Sequence, residues 1–394
     1  MSARTINPSG RRFGRERRDG SARTRLLTFD PLLALSSAGL GVCSLIALHG
    51  VAPQYASRQA VYLAVGFVVM LAVSRFDYWH LREFKWPIYG ALIFAILLVI
   101  GLGSSVNGSS RAISLGGVSF QASEFGKLAL IVVLAAFVAD APRRQSANAL
   151  TIRVLALALV PALLVIKEPD LGSGLVYLAI AFAALYVAGI PARQLSVLAG
   201  AGIGALLLAL VIAPALGVHV LQHYQEQRLT GFLSPSQNPN SDAHQQVQSV
   251  IAIGSGQATG RGAGATQTSL GLVGSEAPTD FIFTVVGERL GFVGAAVVMS
   301  LYALMIWRTL RIVAAAKNLF AALIAGGAVA MIMFQVFVNV GMTVGIMPIT
   351  GVTLPLMSYG GSSVLTTFLT LGLLQSIYGQ ARAANASGGR VLRF

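Results

Sequence analysis

Roughly ten runs of about 20 apolar residues, parted by short polar breaks, constrain this chain more than any other feature, because a helix of that length spans the ~30 Å hydrocarbon core of a bilayer. The runs fall near 29–49, 59–76, 86–103, 122–140, 150–166, 172–190, 194–216, 280–307, 318–340 and 358–379. They lack the alternation of barrel strands, so the expected fold is all-α, a polytopic membrane protein with about ten transmembrane helices. Of the 394 residues only 11% are charged and 55% are hydrophobic, with a mean hydropathy of +0.73. A soluble domain carries about 25% charged residues, which excludes that class.

Charge sets the orientation. Residues 1–25 read as a disordered, basic cytoplasmic arm with Arg4, Arg11, Arg12, Arg15, Arg17, Arg18, Arg23 and Arg25, and no cleavable signal peptide is expected ahead of the first apolar run. The arm works as a topology signal, with contact to anionic lipid headgroups as the alternative. With the N-terminus inside, the inner connections carry Arg75, Arg82, Lys85, Arg143, Arg144, Arg193, Arg308, Arg311 and Lys317, and the tail adds Arg382, Arg390 and Arg393. That is the positive-inside pattern, so the net charge of +14 does not indicate nucleic-acid binding. The expected organisation is the arm, a transmembrane domain over 26–381 with a large outer loop at 217–279, and a cytoplasmic tail over 382–394. Cys43 is alone, which leaves no intrachain disulfide or thiolate metal site.

Acidic residues gather on the other side: Glu124, Glu168, Asp170, Glu226, Asp242, Glu276, Asp280 and Glu288 all fall in outer loops or outer helix ends. An ionisable group at a membrane helix mouth is costly and marks a candidate functional site. Asp280, in Thr279-Asp280-Phe281-Ile282-Phe283, could alternatively open a helix and stabilise its first-turn N–H groups. Glu288 and Arg289 lie deeper, so a pairing between them or with another helix is expected. Glu124 and Lys127 sit at i and i+3 on one helix face and can pair there, as a structural pair or as one that tunes a neighbouring carboxylate. Arg111, with its forked guanidinium, is a candidate phosphate ligand.

Glycine density around Gly254–Gly264, with Arg261, suits either an anion-contacting loop or a flexible one. Two proline-broken outer turns, Lys167 to Gly172 and Met347 to Ser363, need their freed backbone groups satisfied by protein or by a wet cavity. Together with Asp280 they suggest an outward-facing cavity. His219 and His223 have i, i+4 spacing for a shared metal, but no carboxylate-rich motif completes a site.

These strings, in this order, resemble the SEDS family of polytopic membrane proteins, RodA and FtsW, which polymerise lipid II into peptidoglycan glycan strands. The likeness spans nearly all of the chain after the arm and rests on Asn107–Lys127, Glu168-Pro169-Asp170-Leu171-Gly172, Gln248-Ser249 through Gly264, Thr279–Phe283 and Asn339–Ser363. Ala265-Thr266-Gln267-Thr268 looks closer to RodA than to FtsW. The chain departs from the family in Gly274–Pro278, which lacks the usual histidine but keeps Glu276, and in Ala122, which replaces a proline.

The resemblance implies a multi-pass protein of the bacterial inner (plasma) membrane, with Asp280 as the essential outer carboxylate and Glu124–Lys127 as a buried ion pair. Substrate-binding candidates are Arg111, Asp170, Gln248, Ser249, Arg261, Thr279, Ser358 and Ser362. The implied partners are lipid II, an undecaprenyl-pyrophosphate disaccharide pentapeptide, and a class B penicillin-binding protein that contacts the outer loops and the helices near 280–307 or 318–340. Glycan extension needs a base for the acceptor 4-hydroxyl, for which Asp280 is placed, and positive charge for the departing pyrophosphate. Arg111, Lys127, Arg261 or a divalent cation, Mg or Mn, could supply that charge. A flippase for lipid II and a non-catalytic scaffold for a transpeptidase are the rival readings.

Overall fold

A computed structural model describes residues 29–102, 113–115, 118–142, 144–168, 170–207, 242–265, 268, 271, 273–274 and 276–386. The basic arm, Arg111, Arg143, Glu226, His219, His223, Thr266, Gln267 and the last eight residues lie outside the described residues.

The apolar runs become helices: α1 (Pro31–Val51), α2 (Pro53–Ser74), α3 (Lys85–Leu102), α4 (Ala122–Ala139), α5 (Ala147–Lys167), α6 (Leu171–Val187), α7 (Ala192–Leu207), α9 (Ile282–Ala315), α10 (Leu319–Thr343) and α11 (Gly361–Ala386). Among the described residues six of these are long and apolar enough to cross a membrane, and Lys85–Gly101 and Leu171–Val187 are shorter apolar helices. A two-stranded antiparallel hairpin, β1 (Ile113–Leu115) with β2 (Val118–Phe120), leads into α4. It is too short to alter the all-α class.

Helix starts follow local chemistry. Asp30 accepts hydrogen bonds from Leu32 N and Leu33 N, with Pro31 in the first turn, where a missing N–H costs nothing. Asn318 opens α10 and Ser146 opens α5 in the same way. Polar side chains point inward, as expected when lipid surrounds the bundle: Ser36, Ser44, Gln59, Gln335 and Thr370 are buried, while Phe94, Leu163 and Phe337 are exposed.

The inner end is tied together by the charges that orient the chain. Arg308 Nη2 lies 2.5 Å from Asp30 Oδ2, and Gln375 both donates to and accepts from the Asp30 backbone, at 3.0 and 2.8 Å. Asp140 pairs with Arg82 and Lys85. Burial opposes its ionisation, but the hydrogen bonds from Lys85 and Arg82 prevail and hold its carboxyl below the usual carboxylate range. Trp79 and Trp307 lie under Arg82, Arg308 and Arg311, an interfacial aromatic belt.

The expected outer loop over 217–279 contains a further helix, α8 (Asp242–Gly256), packed against α9. Gln246, Ser249, Ala252 and Gly256 form its buried face; its many glutamines hid that stripe from an apolar count. α9 extends to Ala315, beyond the expected 307, and is broken at Gly291 (φ 63°, ψ −161°).

Two of the five glycines of the 254–264 region, Gly256 and Gly260, have a packing role at this break. A Cβ on Gly260 (φ +82°) would lie 2.1 Å from Arg289 O, and one on Gly256 2.0 Å from Gly287 O. Backbone bonds cross the junction: Arg261 N to Glu288 O at 2.9 Å and Phe292 N to Gln257 O at 2.8 Å. Gly260→Ala is therefore expected to cost about 2–4 kcal/mol. The check is the melting temperature of the detergent-solubilised protein; wild-type melting would contradict the junction.

Candidate active site

The outer end assembles from four chain regions. Asp170 caps α6, its Oδ1 accepting from Ser173 N at 3.0 Å. Its other oxygen, Oδ2, accepts from Ser123 Oγ at 2.9 Å and Gln121 Nε2 at 3.3 Å, which seats the first turn of α4. One turn further along α4, Lys127 Nζ reaches Glu124 Oε1 at 2.7 Å, and both residues are buried. Thr353, on the segment after α10, donates to Glu124 Oε1 at 3.4 Å and meets Ser363 Oγ at 3.1 Å.

That segment also carries the link to Asp280. Ser358 Oγ donates to Thr279 O at 2.6 Å, Tyr359 N to Pro278 O at 2.9 Å, and Asn339 Nδ2 to both Asp280 O at 2.8 Å and Val352 O at 2.7 Å. Asp280 is half-buried, and α9 opens at Ile282 with Phe281 at the cap position. Asp280 thus stands one residue before the cap position. Thr279 Oγ1 donates to Glu276 Oε2 at 2.9 Å, so the retained acidic residue of the altered stretch holds its neighbour.

Other predicted residues separate into near and far. Ser362 donates to Ser119 O at 2.8 Å and accepts from Gln121 N at 3.1 Å, stitching the hairpin to α11. Ser249 is fully buried between Thr284 Oγ1 at 2.5 Å and Thr343 O at 2.8 Å, a packing position between α8, α9 and α10. Gln248 is half-buried beside His244. Arg261 is exposed, its Nε donating to Ser255 O at 3.1 Å. Glu288 accepts from Thr268 N at 2.9 Å and Thr268 Oγ1 at 2.6 Å, and the Arg289 guanidinium packs on Gly50 of α1. Arg111 lies outside the described residues.

Several supporting residues went unnoticed in the sequence. Gln59 on α2 donates to Ser358 O at 3.1 Å, Ser44 on α1 donates to Met357 O at 2.7 Å, and Tyr55 stacks on Tyr359 at 4.5 Å. The signal was available: an uncharged polar side chain inside an apolar run needs a partner. The two proline-broken turns do converge, with Gly172 against Thr350 O and Val352.

Among the described residues, the buried charged side chains are Asp30 at the inner end and Glu124, Lys127, Glu168, Asp170 and Glu288 at the outer end. None lies midway. A bundle of membrane-crossing helices with most of its buried charges gathered at the outer end defines a polytopic membrane protein with a candidate site there.

The chain belongs to the FtsW/RodA/SpoVE family, whose model, described as "cell cycle protein", matches residues 25–383. It is 36% identical over 373 residues to a probable peptidoglycan glycosyltransferase FtsW of Thioalkalivibrio sulfidiphilus, covering 91% of this chain and 90% of that one. It is 33% identical over 416 residues to the peptidoglycan glycosyltransferase RodA of Treponema pallidum, covering 88% and 95%. Among solved structures, a chain of a peptidoglycan synthase complex that coordinates polymerization and crosslinking superposes with a TM-score of 0.77 at 31% identity, covering 90% of this chain and 99% of its own.

Proposed function

We infer that this chain is a peptidoglycan glycosyltransferase of the inner membrane, working at the outer face on lipid II. The observation that carries the reading is the Asp280 connection held by Asn339 and Ser358, with Asn339 also binding Val352 O next to Thr353, which reaches the Glu124–Lys127 pair. The family relatives named as peptidoglycan glycosyltransferases support the reaction class. A flippase path for the charged headgroup would need ionisable groups along the whole crossing, and among the described residues the buried charges lie at the two ends.

In the proposed step, Asp280 takes the proton of the acceptor sugar's 4-hydroxyl as that oxygen attacks the donor's anomeric carbon. The new glycosidic C–O bond forms while the bond from that carbon to the lipid pyrophosphate breaks. Positive charge for the leaving group comes from Lys127, Arg111 or Arg261, or from a divalent cation, Mg or Mn. Among the described residues no three His, Cys, Asp or Glu side chains converge to hold a metal.

A class B penicillin-binding protein is the proposed partner, supported by the likeness to a chain of a synthase complex. The test is polymerisation of labelled lipid II by the purified chain, with and without that partner and with a chelator. Glycan strands are expected with the partner, and chelation is expected to slow their formation until Mg or Mn is restored. Lipid II crossing the bilayer with no glycan formed would overturn the reading in favour of the flippase.

A further inference from the structure

Glu168 is a buried carboxyl group that the proposed step does not use. It is 2% exposed, and its Oε1 has no hydrogen-bond partner. It lies in the turn between α5 and α6, two residues before Asp170, and the two acids meet opposite helix ends. Glu168 occupies the C-terminal cap of α5, its N–H donating to Leu164 O and Val165 O; Asp170 occupies the N-terminal cap of α6. A helix C-terminus disfavours negative charge and an N-terminus favours it. Asp170 also has donors on both oxygens, from Ser173, Ser123 and Gln121.

Among the described residues, none is seen to offset a second negative charge here. On α4, Lys127 is committed to Glu124 at 2.7 Å. Lys167, the adjacent residue in the chain, is exposed. Tyr177 on α6 is buried and its hydroxyl donates to Ser123 O at 3.1 Å, and the 350–353 segment contributes the uncharged Thr350 and Thr353. Burial, with the Asp170 charge added, pushes the Glu168 carboxyl up to about 8.

We propose that Glu168 is a positioning residue: it is held neutral in the turn beside the Asp170 clamp, and a charge on it releases that clamp from the first turn of α4. No described side chain donates to Glu168 Oε1, and an ionised Glu168 would draw water into the turn. Asp170, two residues on, moves with that turn, and Ser123 and Gln121 lose their anchor. The inference rests on the glycosyltransferase reading for its activity readout alone.

The sign follows from the raised value. Between the ordinary carboxyl range and about 8 the folded chain keeps a proton that the unfolded chain has lost, so stability falls as pH rises through that window. Glu168→Gln fixes the neutral form. Relative to its neutral-pH activity, the wild type is expected to fall roughly tenfold by about pH 9, with the variant about fivefold or more above it there. The variant should also lose less melting temperature over the same range. In the infrared spectrum, a protonated-carboxyl band should titrate near pH 8 in the wild type and be missing from Glu168→Gln. Superimposable activity profiles, or a folded Glu168→Gln protein inactive at neutral pH, overturn the proposal. So does the absence of that band from the wild type, a reading that stands even where the variant does not fold or where neither protein polymerises lipid II.

Discussion

Purified Asp280→Asn protein is expected to form glycan strands at least ~10²-fold more slowly than wild type, because general-base assistance is worth about 10²–10⁴ in rate. The fold should survive the change. Several connections that place residues 278–281 run through the backbone and are kept in the variant: Asn339 Nδ2 binds Asp280 O, Ser358 Oγ binds Thr279 O and Tyr359 N binds Pro278 O. Asparagine keeps the side-chain volume and gives up the proton-accepting charge. The loss should therefore appear in kcat, with KM for lipid II and the melting temperature close to wild type. Polymerisation at the wild-type rate would remove Asp280 from the chemistry, and a collapsed melting temperature would make it a structural residue.

Lys127→Met is expected to be the most destabilising single change in the outer network. It leaves the Glu124 carboxylate buried at 4% exposure with Thr353 Oγ1 at 3.4 Å as its remaining contact among those described. Breaking one side of a buried pair costs about 3–5 kcal/mol, whereas replacing both partners by neutral groups of similar size is often close to neutral. The double variant Glu124→Gln/Lys127→Met should thus melt well above Lys127→Met alone. Detergent-phase thermal unfolding of the two proteins provides the comparison. Equal melting temperatures would mean that the charge on Glu124 is not what the lysine offsets.

Much of the architecture was legible in advance, for reasons specific to a bilayer. Each spanning helix must satisfy its own backbone in lipid, so apolar length alone places it, and the expected 122–140 run corresponds to Ala122–Ala139. The Glu124–Lys127 pair was also readable, since i, i+3 spacing brings two side chains together wherever a helix forms. α8 was not readable in this way. Its buried face is Gln246, Ser249, Ala252 and Gly256, so the contacts that justify it lie on α9 and α10 rather than in its own composition. The glycines before α9 admitted an anion-contacting or flexible loop, and only the position of Gly287 and Arg289 opposite them revealed backbone contact.

By itself, then, the sequence determined an all-helical, positive-inside membrane protein with its unusual carboxylates at the outer end, because hydrophobic length and loop charge act locally. It also supplied the motif order that the family shares. Tertiary structure decided which outer residues work together. Asp280 is held from α10 by Asn339, Asp170 clamps the start of α4, and Glu168, two residues from Asp170, sits at the helix end that disfavours its charge. Ser249, a binding candidate by resemblance, is buried between α8, α9 and α10. These outcomes depend on residues far apart in the chain, and neither composition nor periodicity carries the distance between them.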